Sequence, residues 1–245
     1  MTPKICLLDI ETAPALAWVW GNSKYEQDVI EFEKPWHILS FAFKWLGQKK
    51  VICHALPDFP LAPRGNDKAV IRKLWEVFDE ADIIVAHNAK YDVGRALAKF
   101  SIHNFPPPSP YKVVCTYLLA KKFGFSSRKL NDLCMEFGIG RKLPHQGYDT
   151  WRGCMAGDER AWRTMKRYNC HDVFPLLEGV YLKLRPYATT HPNLSHYSCL
   201  DICPICQSDH LKNTGYNYIA SGKKQRRTCL DCGHRFVTGK IIREV

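Results

Sequence analysis

The stretch KICLLDIE, residues 4–11, holds the first strand signal and the first pair of acids in the chain. Its apolar run has the length of a buried strand, and period-two alternation places the side chains of Asp9 and Glu11 on one face. Two carboxylates on one face can share a ligand, although an acid pair at a strand's end is more often simply solvated. The meaning of the pair therefore depends on what the rest of the chain places beside it.

Two more strand patterns follow, and WLGQ forms a turn between them. Beyond them, helical and strand patterns alternate. The predicted elements are strands at 37–45 and 49–56, a helix at 67–81, a strand at 82–88, a helix at 89–100, a strand that turns helical at 111–123, a helix at 128–140 and a final helix at about 157–184. This order predicts an α/β fold with a mixed sheet flanked by helices, followed by a small separate unit.

Composition narrows the function classes. The chain has 245 residues, 46% of them apolar, which is enough for one well-buried domain and an appendage. There is no run of about 18 apolar residues, and Asp9 interrupts the start before a signal peptide could form, so we expect a cytoplasmic protein with no membrane partner.

The net charge of +11 favours a polyanionic partner such as nucleic acid. Eleven cysteines in a reducing compartment are expected to pack or to bind metal.

A third acid follows the second buried strand pattern. ADIIVAHNAKYD, residues 81–92, runs from that strand into a helix whose first turns contain Asp92. Open α/β sheets bind ligands at the carboxyl ends of their strands, which is where this spacing puts the carboxylate. The alternative is that Asp92 only stabilises the start of its helix through the helix dipole.

A fourth acid lies in KRYNCHDVF, residues 166–174. On a helix, Tyr168 and Asp172 share a face and lie one turn apart. His171 is rotated by about 100° from Asp172, and Cys170 also points elsewhere. Helical spacing therefore groups the tyrosine with the aspartate and leaves the histidine as a bystander.

Four carboxylates in one pocket would repel each other and resist ionising together. Divalent metal ions remove that cost, and hard oxygen ligands suit Mg²⁺ or Mn²⁺. Two such ions about 3.5 to 4 Å apart can stabilise the attacking and the leaving oxygen of a phosphodiester. The sequence thus predicts a two-metal site, in which Tyr168 orients the attacking water.

The ordered set LLDIET, AHNAKYD and YNCHD resembles the three exonuclease motifs of the DEDD superfamily. That resemblance implies an RNase H-like fold over about residues 4–185 and removal of nucleotides from 3′ ends. Because Tyr168 stands four residues before Asp172, the chain is similar to the tyrosine subclass, which includes the exonuclease domains of family B DNA polymerases. The histidine subclass needs a histidine at position 167, where this chain has Arg167. No polymerase region follows, so we expect a stand-alone nuclease of the phage and bacterial type.

Residue roles carry over from the resemblance by position. The metal ligands are expected to be Asp9, Glu11, Asp92 and Asp172, with Tyr168 as the water-orienting residue. Asn88 is expected near the end of the substrate, and His87 is expected to shape the loop, with direct catalysis as its alternative. The implied activity is a 3′–5′ exonuclease that favours single-stranded DNA, with RNA as another substrate. Two alternatives stay open: a structure-specific endonuclease with the same site, and a binding module without cleavage.

Two CxxC knuckles near the end of the chain predict a metal site of a different kind. CPIC and CLDC supply Cys203, Cys206, Cys229 and Cys232, with 22 residues between the knuckles. Such a quartet suits one tetrahedral, structural Zn²⁺. We therefore predict an exonuclease domain at 1–185, a linker at 186–202 and a zinc ribbon at 203–245, with His210 and His234 as spare ligands and Cys199 as a bystander. The alternatives are buried or redox-active thiols.

Between the knuckles, YNYIASGKKQRR interleaves aromatic and cationic side chains. Aromatic rings stack on bases and cations neutralise phosphates, so the patch suits single-stranded nucleic acid. The predicted substrate contacts there are Tyr216, Tyr218, Lys223, Lys224, Arg226 and Arg227. A solvated hairpin or a protein-docking module are the alternatives.

Two other segments carry predictions. The insert at 12–36 holds Trp18, Trp20, Tyr25 and Trp36, and we expect these rings to cap the core rather than to stack on a substrate base. The segment at 142–154 is predicted to be a loop that could act as a substrate-facing lid.

Overall fold

The computed structural model describes residues 2–21, 28–59, 66–197 and 201–242. The strands in these ranges are β1 (Ile5–Ala13), β2 (Leu16–Val19), β3 (Val29–Lys34), β4 (His37–Trp45), β5 (Ile52–Ala55), β6 (Ile83–Ala86), β7 (Lys112–Cys115), β8 (Leu211–Ile219), β9 (Gly222–Cys229) and β10 (Arg235–Ile242). The helices are α1 (Lys68–Glu80), α2 (Ala89–Ile102), α3 (Thr116–Ala120), α4 (Leu130–Glu136), α5 (Tyr148–Ala156), α6 (Glu159–His171) and α7 (Glu178–Leu184).

Five strands form the central sheet, in the order β5-β4-β1-β6-β7. Strand β4 runs antiparallel to both of its neighbours, whereas β6 runs parallel to β1 and β7. Helices cover both faces of this sheet. The structure thus confirms the predicted mixed sheet flanked by helices, an architecture consistent with an RNase H-like fold.

Strand β1 sends alternate side chains into two cores. Leu8 and its even-numbered neighbours pack against α1, while Leu7 and Ile5 pack in a second cluster with residues of α4 and α7. Burial on both faces explains why the strand is apolar throughout its first half. Asp9 and Glu11 continue the odd-numbered series, so their carboxylates point to the face on which the C-terminal helices pack.

The predicted helix at 157–184 is wrong in its middle. Helix α6 ends at His171 and α7 begins only at Glu178. Between them, Phe174 has extended backbone angles, φ −141° and ψ 124°, immediately before Pro175. A residue that precedes proline is restricted to extended conformations, so the helix breaks just after the fourth acid.

The segment 142–154, predicted to be a loop, is partly helical. Helix α5 begins at Tyr148 and lies between Gly147 and Gly157, which both have positive φ angles, 59° and 88°. These glycines start and end the helix rather than marking a long loop. The segment before α5 remains irregular.

The prediction that the insert's aromatic residues cap the core is wrong for two of them. Among the described residues, strands β2 and β3 pair with each other and not with the central sheet, and Trp18 and Trp20 are 62% and 91% exposed. Because the hairpin is not part of the central sheet, the packing of that sheet does not bury these side chains. Trp36, in contrast, packs on the core beneath Arg95. Tyr25 lies outside the described residues.

Strands β8, β9 and β10 form a separate antiparallel sheet in the order β10-β9-β8. The preceding segment, predicted to be a linker, packs closely: Leu194 is buried in the main core, and its amide donates to the carbonyl of Pro204 at 2.7 Å. His234 contacts the carbonyl of Pro186 at 2.7 Å. Cys199 lies outside the described residues. Among those described, no helix combines the length and apolarity needed to span a membrane.

Candidate metal centre

Three of the four predicted acids converge. One carboxylate oxygen each of Asp9, Glu11 and Asp172 lies within 4.8 Å of the others. The first two come from β1, where they face Ala42 and Ser40 of β4, and the third follows the last residue of α6. Residues far apart in the sequence thus form one cluster of carboxylate oxygens, the donor type that Mg²⁺ and Mn²⁺ prefer, which we call the acid cluster.

The fourth acid lies beside this cluster but outside the group of close oxygens. Asp92 is buried in the first turn of α2, and its Oδ1 accepts a hydrogen bond from the amide of Ile10 at 3.1 Å. The parallel pairing of β6 with β1 brings the start of α2 next to the acids of β1. Burial and the nearby charge of Asp9 raise the pKa of Asp92 well above its usual range.

The acid cluster has too little positive charge around it. Burial, and then the charge of Asp172, raise the pKa of Asp9 to about 7. Burial and Asp9 raise the pKa of Glu11 well above its usual range, and burial also raises that of Asp172. Among the described residues, buried Oδ1 of Asp172 has no hydrogen-bond partner. Crowded oxygen ligands with an orphaned carboxylate oxygen fit Mg²⁺ or Mn²⁺.

Asn169, which the sequence analysis did not single out, orients Asp9. Its side chain is fully buried, and its amide nitrogen donates to Oδ2 of Asp9 at 2.6 Å and to the Asp9 carbonyl at 3.2 Å. Its Oδ1 accepts a hydrogen bond from the Ser40 hydroxyl at 3.1 Å. The signal was present, since Asn169 stands three residues before Asp172 and such residues share a helical face.

Lys142 was missed as well, and it joins the predicted tyrosine to an acid. Its Nζ lies 2.5 Å from Oδ2 of Asp172 and 2.9 Å from the hydroxyl of Tyr168. Asp172 raises the pKa of Lys142 against the opposing effect of burial, so this ammonium stays charged. The Lys142 amide donates to Asn131 at 2.9 Å, which anchors the loop. Tyr168 itself is buried, and its ring packs at a steep angle on the ring of His145, with 4.8 Å between the ring centres.

His87, Asn88 and His171, for which the sequence predicts smaller roles, have different surroundings. His87 contacts the hydroxyl of Thr116 at 2.9 Å, and burial lowers its pKa to about 4, so it is neutral. Asn88 is exposed at the start of α2 with a left-handed backbone, φ 65°, which asparagine tolerates well. The Nε2 of His171 contacts the carbonyl of Arg141 at 3.0 Å.

The four knuckle cysteines also come together. Their sulfurs lie within 4.8 Å of one another, with 3.7 Å between Cys203 and Cys232 and 3.5 Å between Cys206 and Cys229. Four sulfurs at the corners of a tetrahedron of Zn–S bonds, each about 2.3 Å long, are separated by about 3.8 Å. The observed separations match zinc ligands and are far longer than the bond of about 2.05 Å in a disulfide.

The small sheet distributes the predicted basic and aromatic residues over its two faces. In β9, Lys223 and Arg227 point to one face while Lys224 and Arg226 point to the other. Tyr218 pairs with Lys223 and therefore lies on the first face. Two of the cations are engaged within the chain, since Arg226 donates to the carbonyl of Tyr216 at 2.6 Å and Arg227 forms an ion pair with Asp201.

Comparisons with known proteins give three findings. Residues 58–149 match the Exonuclease (RNase_T) family model, a segment that includes Asp92 but not the other acids. DNA polymerase III subunit epsilon of Treponema pallidum (strain Nichols) is 34% identical over 82 residues, 32% of this chain. The alignment spans 38% of that relative's length. The solved structure of Exonuclease X in complex with 5′ overhanging duplex DNA has 16% identity, a TM-score of 0.32 and coverage of 69% of this chain and 99% of its own.

Proposed function

We propose that this chain, which contains a segment similar to the Exonuclease family, is a metal-dependent 3′–5′ exonuclease of the DEDD superfamily and its tyrosine subclass. The observation that carries the proposal is the convergence of Asp9, Glu11 and Asp172 within 4.8 Å. Tyr168 lies one helical turn before the last of these acids, as the subclass requires. The favoured substrate is single-stranded DNA.

The acid cluster would hold two Mg²⁺ or Mn²⁺ ions, with Asp92 completing the ligand set. Bound there, the ions would stabilise negative charge on the attacking and leaving oxygens of a phosphodiester. Asn169 fixes the orientation of the Asp9 carboxylate through its 2.6 Å hydrogen bond. The hydroxyl of Tyr168, which accepts a hydrogen bond from Lys142, would orient a water molecule. Burial and Asp172 raise the pKa of Tyr168 to about 12, so the phenol keeps its proton and can donate it in a hydrogen bond.

A cavity whose lining includes Thr12 and Tyr91, the chain neighbours of Glu11 and Asp92, supports the preference for an unpaired strand. It has a volume of about 450 Å³ and is lined by Thr12, Tyr91, Tyr148 and Trp151, among others. Thr12 directly follows Glu11, and its hydroxyl contacts the Tyr91 hydroxyl at 2.7 Å. Aromatic walls of this kind suit an unstacked base.

The remaining proposal concerns organisation. We place the exonuclease domain at 1–185, the linker at 186–202 and a zinc ribbon at 203–245. The sulfur separations support one structural Zn²⁺ bound by the knuckle cysteines. A segment this short builds little core of its own, so zinc would contribute much of its folding free energy.

The reaction is tested with three forms of one DNA sequence: a linear single strand labelled at its 5′ end, the same strand labelled at its 3′ end, and a closed circle. With Mg²⁺, we expect immediate release of labelled mononucleotide from the 3′-labelled strand and a shrinking ladder from the 5′-labelled strand. The circle should stay intact. Cleavage of the circle would instead support an endonuclease, and binding without any cleavage would support a recognition module.

A further inference from the structure

The small sheet formed by β8, β9 and β10 is basic throughout. Its strands contain seven Lys and Arg side chains and no Asp or Glu. The cations are Lys212, Lys223, Lys224, Arg226, Arg227, Arg235 and Lys240. A surface that carries only positive charge attracts a polyanion. The charge alone does not identify the face of the sheet that the polyanion contacts.

The strand register separates two faces of unlike chemistry. Strand β9 is continuous, so Lys223 and Gln225 share one face, and their cross-strand partners in β8 are Tyr218 and Tyr216. We call this the tyrosine face. The opposite face carries Lys224.

Strand β10 extends both faces. Phe236 pairs with Arg227 and therefore adds an aromatic ring to the tyrosine face. On the opposite face, Lys224 pairs with Asn217 and Ile241, so cations there stand beside amide and aliphatic groups without an aromatic ring from the three strands. The register places four cations on the opposite face, Lys212, Lys224, Arg226 and Arg235, and two on the tyrosine face, Lys223 and Arg227. The opposite face therefore carries more charge, whereas the tyrosine face carries the aromatic rings that can stack on bases.

We propose that the tyrosine face binds single-stranded nucleic acid by stacking bases on Tyr216 and Tyr218. The Tyr218 side chain is 76% exposed, and the Lys223 ammonium lies 5.0 Å from the centre of the Tyr216 ring. An aromatic ring can stack on a base while the cation beside it neutralises the phosphate of the same nucleotide. Duplex DNA keeps its bases stacked on each other, so this arrangement favours an unpaired strand. The inference deepens the proposed function and rests on a zinc-bound, folded ribbon.

The test compares Lys223 and Lys224, which have the same charge but lie on opposite faces of the sheet. In the full-length, zinc-loaded Asp9→Asn chain, which should bind without cleaving, affinity for a fluorescent oligothymidine is measured for Tyr218→Ala, Tyr218→Phe, Lys223→Ala and Lys224→Ala. We expect Tyr218→Ala to weaken binding about tenfold and Tyr218→Phe to retain it. Lys223→Ala should lower the salt dependence of log K by about 0.7, the value for one phosphate contact with a single strand. Lys224→Ala should leave affinity within about twofold, as for a surface charge without a direct contact.

Zinc content, measured for every variant, shows that the ribbon remains folded. Equal losses for Lys223→Ala and Lys224→Ala would overturn the proposal in favour of diffuse attraction. Unchanged affinity in all variants would overturn it too and would favour a ribbon that docks a protein. Hydrolysis of the p-nitrophenyl ester of thymidine monophosphate, which carries no strand, tests the acid cluster of the unmodified chain separately. If the unmodified chain does not hydrolyse this ester and the variants still show the expected binding pattern, the proposed exonuclease activity is refuted and the proposed binding face is not.

Discussion

Replacing Lys142 by methionine removes the ammonium that joins Tyr168 to Asp172. In the metal-free chain, this change leaves the Asp172 carboxylate, whose side chain is 2% exposed, without its cationic partner. Removing one member of a fully buried ion pair costs about 3 to 5 kcal/mol. Lys142 is 33% exposed, so water screens part of the interaction. We therefore expect a loss of about 2 to 4 kcal/mol in the free energy of unfolding at pH 7.

Protonation of Asp172 sets an upper limit to this loss. Neutralising a carboxyl group whose unfolded pKa is about 3.9 costs about 4 kcal/mol at pH 7 and about 1.5 kcal/mol at pH 5. In the variant, the pKa of Asp172 is higher in the folded chain than in the unfolded chain. Folded Asp172 therefore binds a proton at low pH, which stabilises the fold, and loses that proton as pH rises. The destabilisation caused by Lys142→Met should consequently shrink on acidification.

Urea unfolding of the zinc-loaded chain in magnesium-free buffer at pH 7 and pH 5 measures both effects. Lys90→Met, at an exposed position of α2, is the matched control and should change stability by no more than about 0.5 kcal/mol. Adding Asp172→Asn to Lys142→Met should recover most of the loss, because asparagine needs no counterion. The reasoning is refuted if Lys142→Met behaves like Lys90→Met at pH 7, or if its cost grows at pH 5.

Three further outcomes are expected. Asn169→Ala should cost about 3 kcal/mol in urea unfolding, because it removes a hydrogen bond to a carboxylate and leaves the Ser40 hydroxyl unpaired; unchanged stability would contradict the role given to this amide. Cys203→Ser should lose zinc and the folded small sheet, as followed by metal analysis and amide exchange; a full equivalent of bound zinc would contradict the assignment. Relative to Asp9→Asn, the metal-free chain should lose stability as pH rises from about 4 to about 7, because folded Asp9, with a pKa of about 7, holds a proton that the unfolded chain has released. The comparison cancels the opposite contribution of His87, whose pKa burial lowers to about 4. Calorimetry of both metal-free chains tests this, and a stability difference that does not change over that range would refute it.

Much of the fold follows from local patterns. Strand β4 and helix α1 lie where their sequence patterns placed them, because β4 is a mostly apolar run buried on both faces and α1 repeats its apolar residues at helical spacing. The same argument located the acids: strand alternation put Asp9 and Glu11 together, and they do share the acid cluster with Asp172. Their roles as metal ligands stay a prediction.

Other features depend on contacts between distant segments. Lys142 reaches Asp172 from a loop 30 residues earlier, and nothing in its neighbours identifies that partner. Trp18 and Trp20 look like core residues by type, but exposure is decided by what lies around a hairpin and not by its own sequence. Pro175 is different, because a proline inside a helical pattern predicts a break by itself, without any distant contact.

Nucleotide release from a 3′-labelled single strand, titrated with Mn²⁺ in the wild-type chain and in Asp172→Asn, tests the central claim most directly. The acid cluster is predicted to bind the ions that drive cleavage, so wild-type release should rise with Mn²⁺ to a plateau and fall to background when the ion is chelated. Asp172→Asn should stay at background at every concentration, with an unchanged folded structure by circular dichroism. Metal-independent release by the wild-type chain, or wild-type rates in folded Asp172→Asn, would contradict the claim.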